Sequence, residues 1–225
     1  MRALFMAGTD TGVGKTHVAV ALVRALRAAG IDAVGMKPVA SGCVPTPGGW
    51  RNYDALALLA AGGLPAGDYA LVNPVALPRP QSPHLAACAQ GVTVDPDPVL
   101  RGFSRLQARH GFVVVEGVGG WSVPLAGPRP RWLMQADLVR MLGLPVLLVV
   151  GLRLGCINHA LLAARAIIDD GLPLAGWVAN VLEPRDDQDG VIATLQALLP
   201  APLLGLVAQG GGADAALIRA VLGVV

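Results

Sequence analysis

The stretch AGTDTGVGKTH (7–17) lies between an apolar run and a long segment rich in Ala, Val and Leu. RALFMAG (2–8) is predicted to be a buried strand, and HVAVALVRALRAAG (17–30) a helix. A strand, a glycine-rich turn and GKT at the start of a helix are typical of a phosphate-binding loop. The spacing departs from the usual pattern, because five residues separate Gly8 from Gly14, one more than that pattern allows.

The residue types of this loop suit a nucleotide phosphate. Backbone N–H groups of the turn and of the helix N-terminus would point at its oxygens. Gly12 and Gly14 would let the backbone approach closely. Lys15 would reach the β- and γ-phosphates, and Thr16 would bind Mg²⁺. A turn that merely links strand to helix is the alternative interpretation.

Composition and charge exclude several classes of function. The net charge is +2 and the chain has no basic run, which argues against nucleic acid as a partner. The apolar segment MLGLPVLLVVGL (141–152) is too short to span a bilayer, and the N-terminal one is shorter than a signal-peptide core. Three cysteines without metal-ligand spacing fit a reducing compartment. We therefore expect a cytoplasmic protein with no nucleic-acid or membrane partner.

Lysine and glutamate are rare, and their positions therefore carry weight. The 17 basic residues are 15 arginines and two lysines, Lys15 and Lys37. The 15 acidic residues include only two glutamates, Glu116 and Glu183. Lysine offers a compact ammonium and arginine a planar fork, so a retained lysine suggests a site that needs the former. Chance is the alternative for so few residues.

Strand-like runs bounded by Gly or Pro alternate with helical patterns along the chain. The predicted strands cover 2–8, 33–39, 111–116, 145–151, 173–180 and 202–207. The predicted helices cover 17–30, 52–63, about 83–91, about 96–110, 156–171, about 187–199 and 213–223. This alternation predicts a single doubly wound α/β domain over 1–225, of P-loop NTPase type, with a mostly parallel sheet and helices on both faces. The segment 64–83 is predicted to be mostly loop.

Two acidic residues could bind a metal ion. Glu116 ends a predicted strand at the edge where ligands gather in open parallel sheets, and it could hold Mg²⁺ as a Walker-B carboxylate does. A solvent-facing acid is the alternative. Asp54 lies in the first turn of the helix that Asn52 is expected to cap. By pattern alone, its attraction to the helix dipole is the better explanation.

Other candidates are weaker by pattern alone. Lys37 ends a predicted strand and could neutralise a transferred phosphoryl group, or it could be solvated. Ser41 could be a ligand or a loop-capping hydroxyl. The amides of residues 155–158, at the start of a helix, could bind a carboxylate, although ordinary strand-to-helix geometry explains them better. The four histidines form no spaced cluster, so we do not expect zinc.

Taken together, these motifs resemble the dethiobiotin synthetases of biotin biosynthesis. The resemblance is carried by GTDTGVGKT (8–16), KPVASG (37–42), RNYDALAL (51–58), VNP (72–74), SPH (82–84), VVEGVGGW (114–121), VVGLRLGCINHA (149–160), AGWVAN (175–180) and PAPLLG (200–205). It covers most of the chain in the order of the family. The register of Gly8 is then a family trait.

The resemblance implies an ATP- and Mg²⁺-dependent ring closure on 7,8-diaminopelargonate. In that family CO₂ adds to one amine as a carbamate, and the carbamate oxygen attacks the γ-phosphorus of ATP. The resulting carbamic-phosphoric anhydride reacts with the neighbouring amine, which closes the ureido ring and releases phosphate. Such chemistry needs positioning and charge neutralisation more than a side-chain nucleophile.

Residue roles follow from the same resemblance. The catalytic residues would be Lys15 and Lys37. Mg²⁺ would be bound by Thr16, Asp54 and Glu116, which reverses the pattern-based interpretation of Asp54. ATP would be contacted by Gly12, Val13, Gly14, Lys15, Thr16, His17, Asp54, Glu116, Gly117, Val118, Gly119 and, at the adenine, Asn180. The substrate would be bound by Thr11, Lys37, Ser41 and the amides of Gly155, Cys156, Ile157 and Asn158, the last four from the second subunit of a homodimer.

The chain departs from the family pattern at one position, and two other functions remain as alternatives. Ala208 stands where the family usually has a proline near the adenine, which leaves the nucleotide preference open. A cobyrinate amidase relative would need a glutaminase domain, for which 225 residues leave little room. A switch ATPase acting on a protein partner would carry a second, signature lysine where this chain has Asp10.

Overall fold

A computed structural model describes residues 2–128 and 131–225; the expected domain also includes residues 1, 129 and 130, which lie outside them. The strands are β1 (Arg2–Gly8), β2 (Ala33–Met36), β3 (Val39–Ser41), β4 (Val44–Thr46), β5 (Gly49–Arg51), β6 (Val75–Leu77), β7 (Phe112–Glu116), β8 (Pro124–Ala126), β9 (Leu133–Met134), β10 (Val146–Leu152), β11 (Leu174–Val181) and β12 (Leu203–Val207). The helices are α1 (Lys15–Ala28), α2 (Tyr53–Ala61), α3 (Tyr69–Val72), α4 (Pro83–Cys88), α5 (Asp97–Arg109), α6 (Gln135–Leu142), α7 (Cys156–Asp169), α8 (Gln188–Leu198) and α9 (Ala215–Val224). A 3₁₀ turn covers Ala66–Asp68.

The centre of the molecule is a six-stranded sheet in the order β12-β11-β10-β1-β7-β2. Every neighbouring pair in it is parallel. The strands are almost continuously apolar and buried, as expected of a parallel sheet covered on both faces. Three separate two-stranded sheets are formed by β3–β6, β4–β5 and β8–β9.

Helices cover both faces of this sheet, and each face has its own apolar core. One core joins the sheet to α1, α2, α3 and α9. The other joins it to α4, α5, α6, α7 and α8. Alternate residues of β1 enter the two cores, with Leu4 and Met6 on one side and Ala3, Phe5 and Ala7 on the other. The predicted doubly wound fold is confirmed.

The turn from β1 to α1 requires glycine at several positions. Gly12 and Gly14 have φ of 75° and 85°, the left-handed region that glycine enters without steric penalty. Gly8 is needed for a different reason, because a Cβ there would come within 2.8 Å of Val13 Cγ2 and 2.9 Å of Lys15 Cδ. The lysine stem therefore lies directly over the glycine whose spacing looked anomalous in the sequence.

Other parts of the structure differ from the predicted elements. The strand predicted over 33–39 is broken at Lys37, whose N–H donates to Val72 O (2.7 Å) instead of to the sheet. Pro38 has no N–H for a ladder, and the chain then enters the separate β3–β6 pair. The loop predicted over 64–83 contains α3 and β6, which are too short to show a period.

Helix α6 was not predicted at all. Its buried residues include the polar Gln135, which hides the apolar period in its first turn. The boundaries of the main predicted strands and helices otherwise agree within a few residues, and Asn52 caps α2 through its side chain as expected. Among the described residues, no helix combines the length and the apolar character that crossing a membrane requires.

Candidate functional site

A cleft of about 730 Å³ opens at the carboxyl ends of β1, β2 and β7. This edge is where ligands bind in doubly wound folds, and here the loops after the three strands meet. Many of the cleft-lining residues are predicted site residues: Thr11, Gly12, Gly14, Lys15, Thr16, Lys37, Ser41, Asp54, Glu116, Val118 and Gly119. The structure thus brings together groups that lie more than a hundred residues apart in the chain.

Glu116 is the centre of the polar contacts in the cleft. Its side chain is buried, and its Oε1 accepts hydrogen bonds from Lys37 Nζ (2.6 Å) and Thr16 Oγ1 (2.7 Å). Lys37 Nζ also pairs with Asp54 Oδ2 at 3.0 Å. The alternatives of a solvated Lys37 and a solvent-facing Glu116 are therefore wrong. Asp54 does occupy the first turn of α2, yet its carboxylate also pairs with a cation.

Lys37 is only 4 % exposed, and its ammonium remains charged. Burial alone would lower the pKa of Lys37, but the carboxylates of Glu116 and Asp54 outweigh burial and raise the pKa above its usual value. The ammonium donates a further hydrogen bond to Gly117 O (3.2 Å). A fixed positive charge thus stands at the base of the cleft.

Lys15 is a second buried ammonium with a different environment. Its Nζ donates to two backbone carbonyls, those of Asp10 (2.9 Å) and Gly119. Burial is the main reason that the pKa of Lys15 is lowered to about 8, and the charge of Lys37 adds to this effect. Two cations in one cleft favour an anionic ligand that lies between them.

The side chains in the cleft suit Mg²⁺ better than they suit a metal ion whose ligands are all protein side chains. Glu116 Oε2 is buried and has no hydrogen-bond partner, so one carboxylate oxygen remains for a ligand. Within residues 2–128 and 131–225 no cluster of three His, Cys, Asp or Glu side chains forms a metal cage. Mg²⁺ needs no such cage, because one or two carboxylates and substrate phosphates commonly hold it.

The turn after β7 is ordered by a glutamine that the sequence did not single out. Gln135, at the start of α6, accepts from Val118 N (2.8 Å) and donates to Gly120 O (2.8 Å). Gly117 must be glycine, because a Cβ would meet Phe5 Cζ at 2.7 Å. The sequence could have revealed this contact only if α6 had been predicted and Gln135 had been recognised as a polar residue on its buried face.

Two more cleft residues also escaped the sequence-based assignment of roles. Gln81 and Ser82 line the cleft, and Ser82 Oγ lies 3.0 Å from His84 Nδ1. Ser82 belongs to the SPH motif, which was recognised without a function for its hydroxyl. Both residues lie in the segment predicted to be loop.

Four predicted ATP contacts stand outside the cleft lining: Val13, His17, Gly117 and Asn180. Val13 is buried, His17 is half-buried with its Nε2 unpaired, and Asn180 is 3 % exposed. Asn180 Nδ2 donates to Val13 O (2.9 Å), and its buried Oδ1 has no partner. Asn180 therefore supports the phosphate loop and keeps one acceptor available beside it.

The predicted substrate-carboxylate amides lie apart from the cleft. We call Gly155, Cys156, Ile157 and Asn158 the α7 turn; none of them lines the cleft. Gly155 has φ of 90°, and Cys156 N donates to Arg153 O (3.0 Å), which leaves fewer free amides than expected. Leu154, just before the turn, is 87 % exposed.

One ion pair links Arg153, two residues before the α7 turn, to the phosphate loop. Arg153 Nη2 donates to Asp10 Oδ2, and Asp10 Oδ1 accepts from Thr11 N (2.7 Å). The Thr11 N–H and the Arg153 guanidinium hold the pKa of the Asp10 carboxyl below its usual value. Asp10 thus orders Thr11, which the family resemblance predicts to bind the carbamate.

Comparison with curated proteins gives one consistent result. The model of a family described as AAA domain matches residues 2–211. A protein of Xanthomonas euvesicatoria pv. vesicatoria (strain 85-10) named ATP-dependent dethiobiotin synthetase BioD is 54% identical over 215 residues, which is 95% of this chain and 94% of that protein. A protein of the same name from Xylella fastidiosa (strain 9a5c) is 50% identical over 206 residues, or 91% of this chain and 89% of that protein.

Solved structures confirm the type of fold and add nothing about the reaction. The MinC:MinD cell division protein complex of Aquifex aeolicus matches with a TM-score of 0.54 and 13% identity, over 98% of this chain and 86% of that chain. A ParA family ATPase of Chlorobium tepidum TLS matches with a TM-score of 0.53 and 12% identity, over 99% of this chain and 90% of that chain. Identities this low establish only the shared P-loop architecture.

Proposed function

The chain belongs to the ATP-dependent dethiobiotin synthetase family, and from this premise we propose that it closes the ureido ring of dethiobiotin from 7,8-diaminopelargonate and CO₂ and converts ATP to ADP and phosphate. It is thus an ATP-dependent cyclo-ligase that forms carbon–nitrogen bonds. The observation that carries the proposal is the buried Lys37 ammonium between Glu116 and Asp54, facing the phosphate loop across one cleft.

The chemistry requires two anions to approach each other. CO₂ adds to one amine of the substrate, and the resulting carbamate oxygen attacks the γ-phosphorus and displaces ADP. The second amine then attacks the carbonyl carbon of the mixed anhydride, loses a proton and expels phosphate. No side-chain nucleophile takes part, so the protein acts by placing the reactants and by neutralising their charge.

The two lysines neutralise the negative charges of the carbamate and of the ATP phosphates. Lys15, at the first turn of α1, stands where the helix amides and its ammonium meet the phosphates. Lys37 stays charged throughout, because Glu116 and Asp54 raise its pKa. Thr11 and Ser41, which also line the cleft, hold the carbamate between the two ammonium groups.

Mg²⁺ would be held by Thr16, Asp54 and Glu116. The unpaired Glu116 Oε2 and the half-exposed Asp54 carboxylate support this assignment. The ion would supply positive charge to the phosphate oxygens. Glu116 would also keep Lys37 in place, because its Oε1 accepts from that ammonium.

The nucleotide would lie along the phosphate loop, with its base at Asn180. The loop from Gly12 to His17 and the turn from Gly117 to Gly119 contact the phosphates, while the free Asn180 Oδ1 accepts from an amino group of the base. Ala208 follows β12 and is exposed, so it does not close the base pocket as a proline would.

The substrate carboxylate would bind to the α7 turn of a second subunit. The turn lies outside the cleft of its own chain, and exposed apolar residues flank it, Leu154 at 87 % and Leu162 at 60 % exposure. A homodimer would cover these side chains and bring the amides to the partner's cleft. We further propose that the chain works as one domain in the cytoplasm, without nucleic-acid or membrane partners.

A product assay tests this function. With ATP and Mg²⁺ present, we expect ADP release only when diaminopelargonate and bicarbonate are both added, together with formation of a cyclic urea. ATP turnover that is indifferent to both compounds would overturn the proposal and favour a switch ATPase.

A further inference from the structure

The partners of the Lys37–Asp54 ion pair are also joined behind the cleft. Asn73 Nδ2 donates to Lys37 O (2.8 Å), and Tyr69 Oη donates to Asn73 Oδ1 (2.9 Å). Asn52 N donates to the same Tyr69 oxygen (2.7 Å), and Asn52 Oδ1 accepts from Asp54 N (3.0 Å). A continuous chain of hydrogen bonds thus runs from the backbone of Lys37 to the backbone of Asp54. We call Asn73, Tyr69 and Asn52 the polar relay.

The three residues of the polar relay are buried, and their side chains make further hydrogen bonds. Tyr69 is 4 %, Asn73 3 % and Asn52 8 % exposed. The second Asn73 N–H donates to Val75 O (3.1 Å), and Asn52 Oδ1 also accepts from Ala55 N (3.2 Å). In such a network the loss of one group leaves buried partners unpaired, so each bond fixes the geometry of the next.

Lys37 needs this support because the sheet does not provide it. Strand β2 ends at Met36, and both backbone groups of Lys37 bond outside the sheet, the N–H to Val72 O and the carbonyl to Asn73. The long side chain of Lys37 then projects from a backbone held by α3 and the residue after it. A shift of that backbone moves the ammonium relative to Glu116.

The phenol of Tyr69 is suited to its place in the relay. Burial raises the pKa of Tyr69, so the hydroxyl stays protonated and can donate to Asn73 while it accepts from Asn52. The ring is held separately, because the Arg51 guanidinium lies 4.1 Å from its centroid. The hydroxyl can therefore be removed while the ring keeps its packing.

We propose that Tyr69 and Asn73 are positioning residues that align the Lys37 ammonium and the Asp54 carboxylate for phosphoryl transfer. This inference rests on the proposed function of those two groups. Neither residue touches the reactants, since neither lines the cleft. The relay sets the separation of the cation and the metal ligand, and that separation governs kcat more than binding of the diamine.

The test variant is Tyr69→Phe. We expect kcat to fall about ten- to a hundred-fold, since misplacement by about 1 Å has that effect, with KM for diaminopelargonate nearly unchanged. The Mg²⁺-dependent gain in ADP affinity, measured by titration calorimetry, should also fall, because Asp54 is displaced. This second readout does not depend on turnover.

Two control variants separate positioning from stability. Tyr53→Phe alters the other tyrosine, which is 71 % exposed, and should leave kcat and Tm unchanged. Val221→Ala removes methyl groups from α9, in the core behind α1, and should lower Tm without lowering kcat. If Tyr69→Phe does not fold, Asn73→Ser tests the same link to Lys37.

The outcomes distinguish the inference from the proposed function. A wild-type protein that makes no cyclic urea refutes the function itself. An active wild type with equal kcat in Tyr69→Phe refutes the relay. The relay is likewise refuted if Tyr69→Phe and Val221→Ala lose Tm alike and both retain kcat.

Discussion

The cleft and the α7 turn are both predicted binding regions, but they differ in how complete they are within one chain. In the cleft, buried charges already contact one another, as Lys37 does with Glu116 and Asp54. In the α7 turn the candidate groups are backbone amides, and none of their residues lines that cleft. Side chains from several strands can converge at one sheet edge, whereas a helix N-terminus presents its amides only along its own axis. The first region therefore has its charged groups assembled within one chain, whereas the amides of the second stand apart from that cluster.

The largest effect on catalysis should come from changing Lys37, the cation between Glu116 and Asp54. Lys37→Arg keeps the charge but replaces a compact ammonium with a fork too wide for the space between Glu116 and Asp54. We expect kcat to fall about 10²- to 10³-fold, as for the loss of one transition-state donor. Steady-state ADP release measures it. Near-normal turnover would mean that the cleft does not depend on this geometry.

Removal of the buried counter-charge should mainly affect stability. Glu116→Gln leaves the buried Lys37 ammonium with Asp54 alone, and breaking a buried pair in this way costs about 3–5 kcal/mol of unfolding free energy. Urea denaturation measures the difference. The matched control is Glu183→Gln, which alters the other, exposed glutamate and should change little. Equal losses in the two variants would contradict the model of a buried charge cluster.

The α7 turn can be tested through a single amide. Asn158→Pro removes one N–H from the first turn of α7, where proline is tolerated because no intrahelical bond is lost. We expect KM for diaminopelargonate to rise about tenfold, in line with the effect of a helix N-terminus on an anion, while KM for ATP stays the same. Asn158→Ala keeps the N–H and is the control. A rise in both variants would assign the effect to the side chain instead.

The smallest effect concerns pH. The pKa of Lys15 is lowered to about 8, so in the free protein its charge disappears as the pH rises through that value. A bound polyphosphate favours the charged form, so ATP binding takes up a proton and weakens as the pH rises. We expect the Kd for ATP to increase about fourfold from pH 7 to pH 8.5. In Lys15→Arg the dependence should vanish, because a guanidinium stays protonated; a slope that persists would point to another group.

The sequence predicted what depends on neighbours along the chain. The phosphate loop, the strand that ends at Glu116 and the cap at Asn52 each follow from a few adjacent residues. The polar relay did not, because Tyr69 and Asn73 acquire their partners from segments that only the fold brings near. Asp54 lies between these cases: the helix dipole explains its position, but only the contact with Lys37 gives it a partner.

The scarcity of lysine has a practical consequence. Both lysines of the chain, Lys15 and Lys37, lie in the cleft, and the other 15 basic residues counted with them are arginines. A reagent that acylates amines therefore meets only the cleft and a terminal amine. Lys15 should react first, because its pKa of about 8 leaves more of it unprotonated than Lys37. Mass spectrometry of the acylated protein would then count the unoccupied clefts, since a bound nucleotide shields the amine from the label.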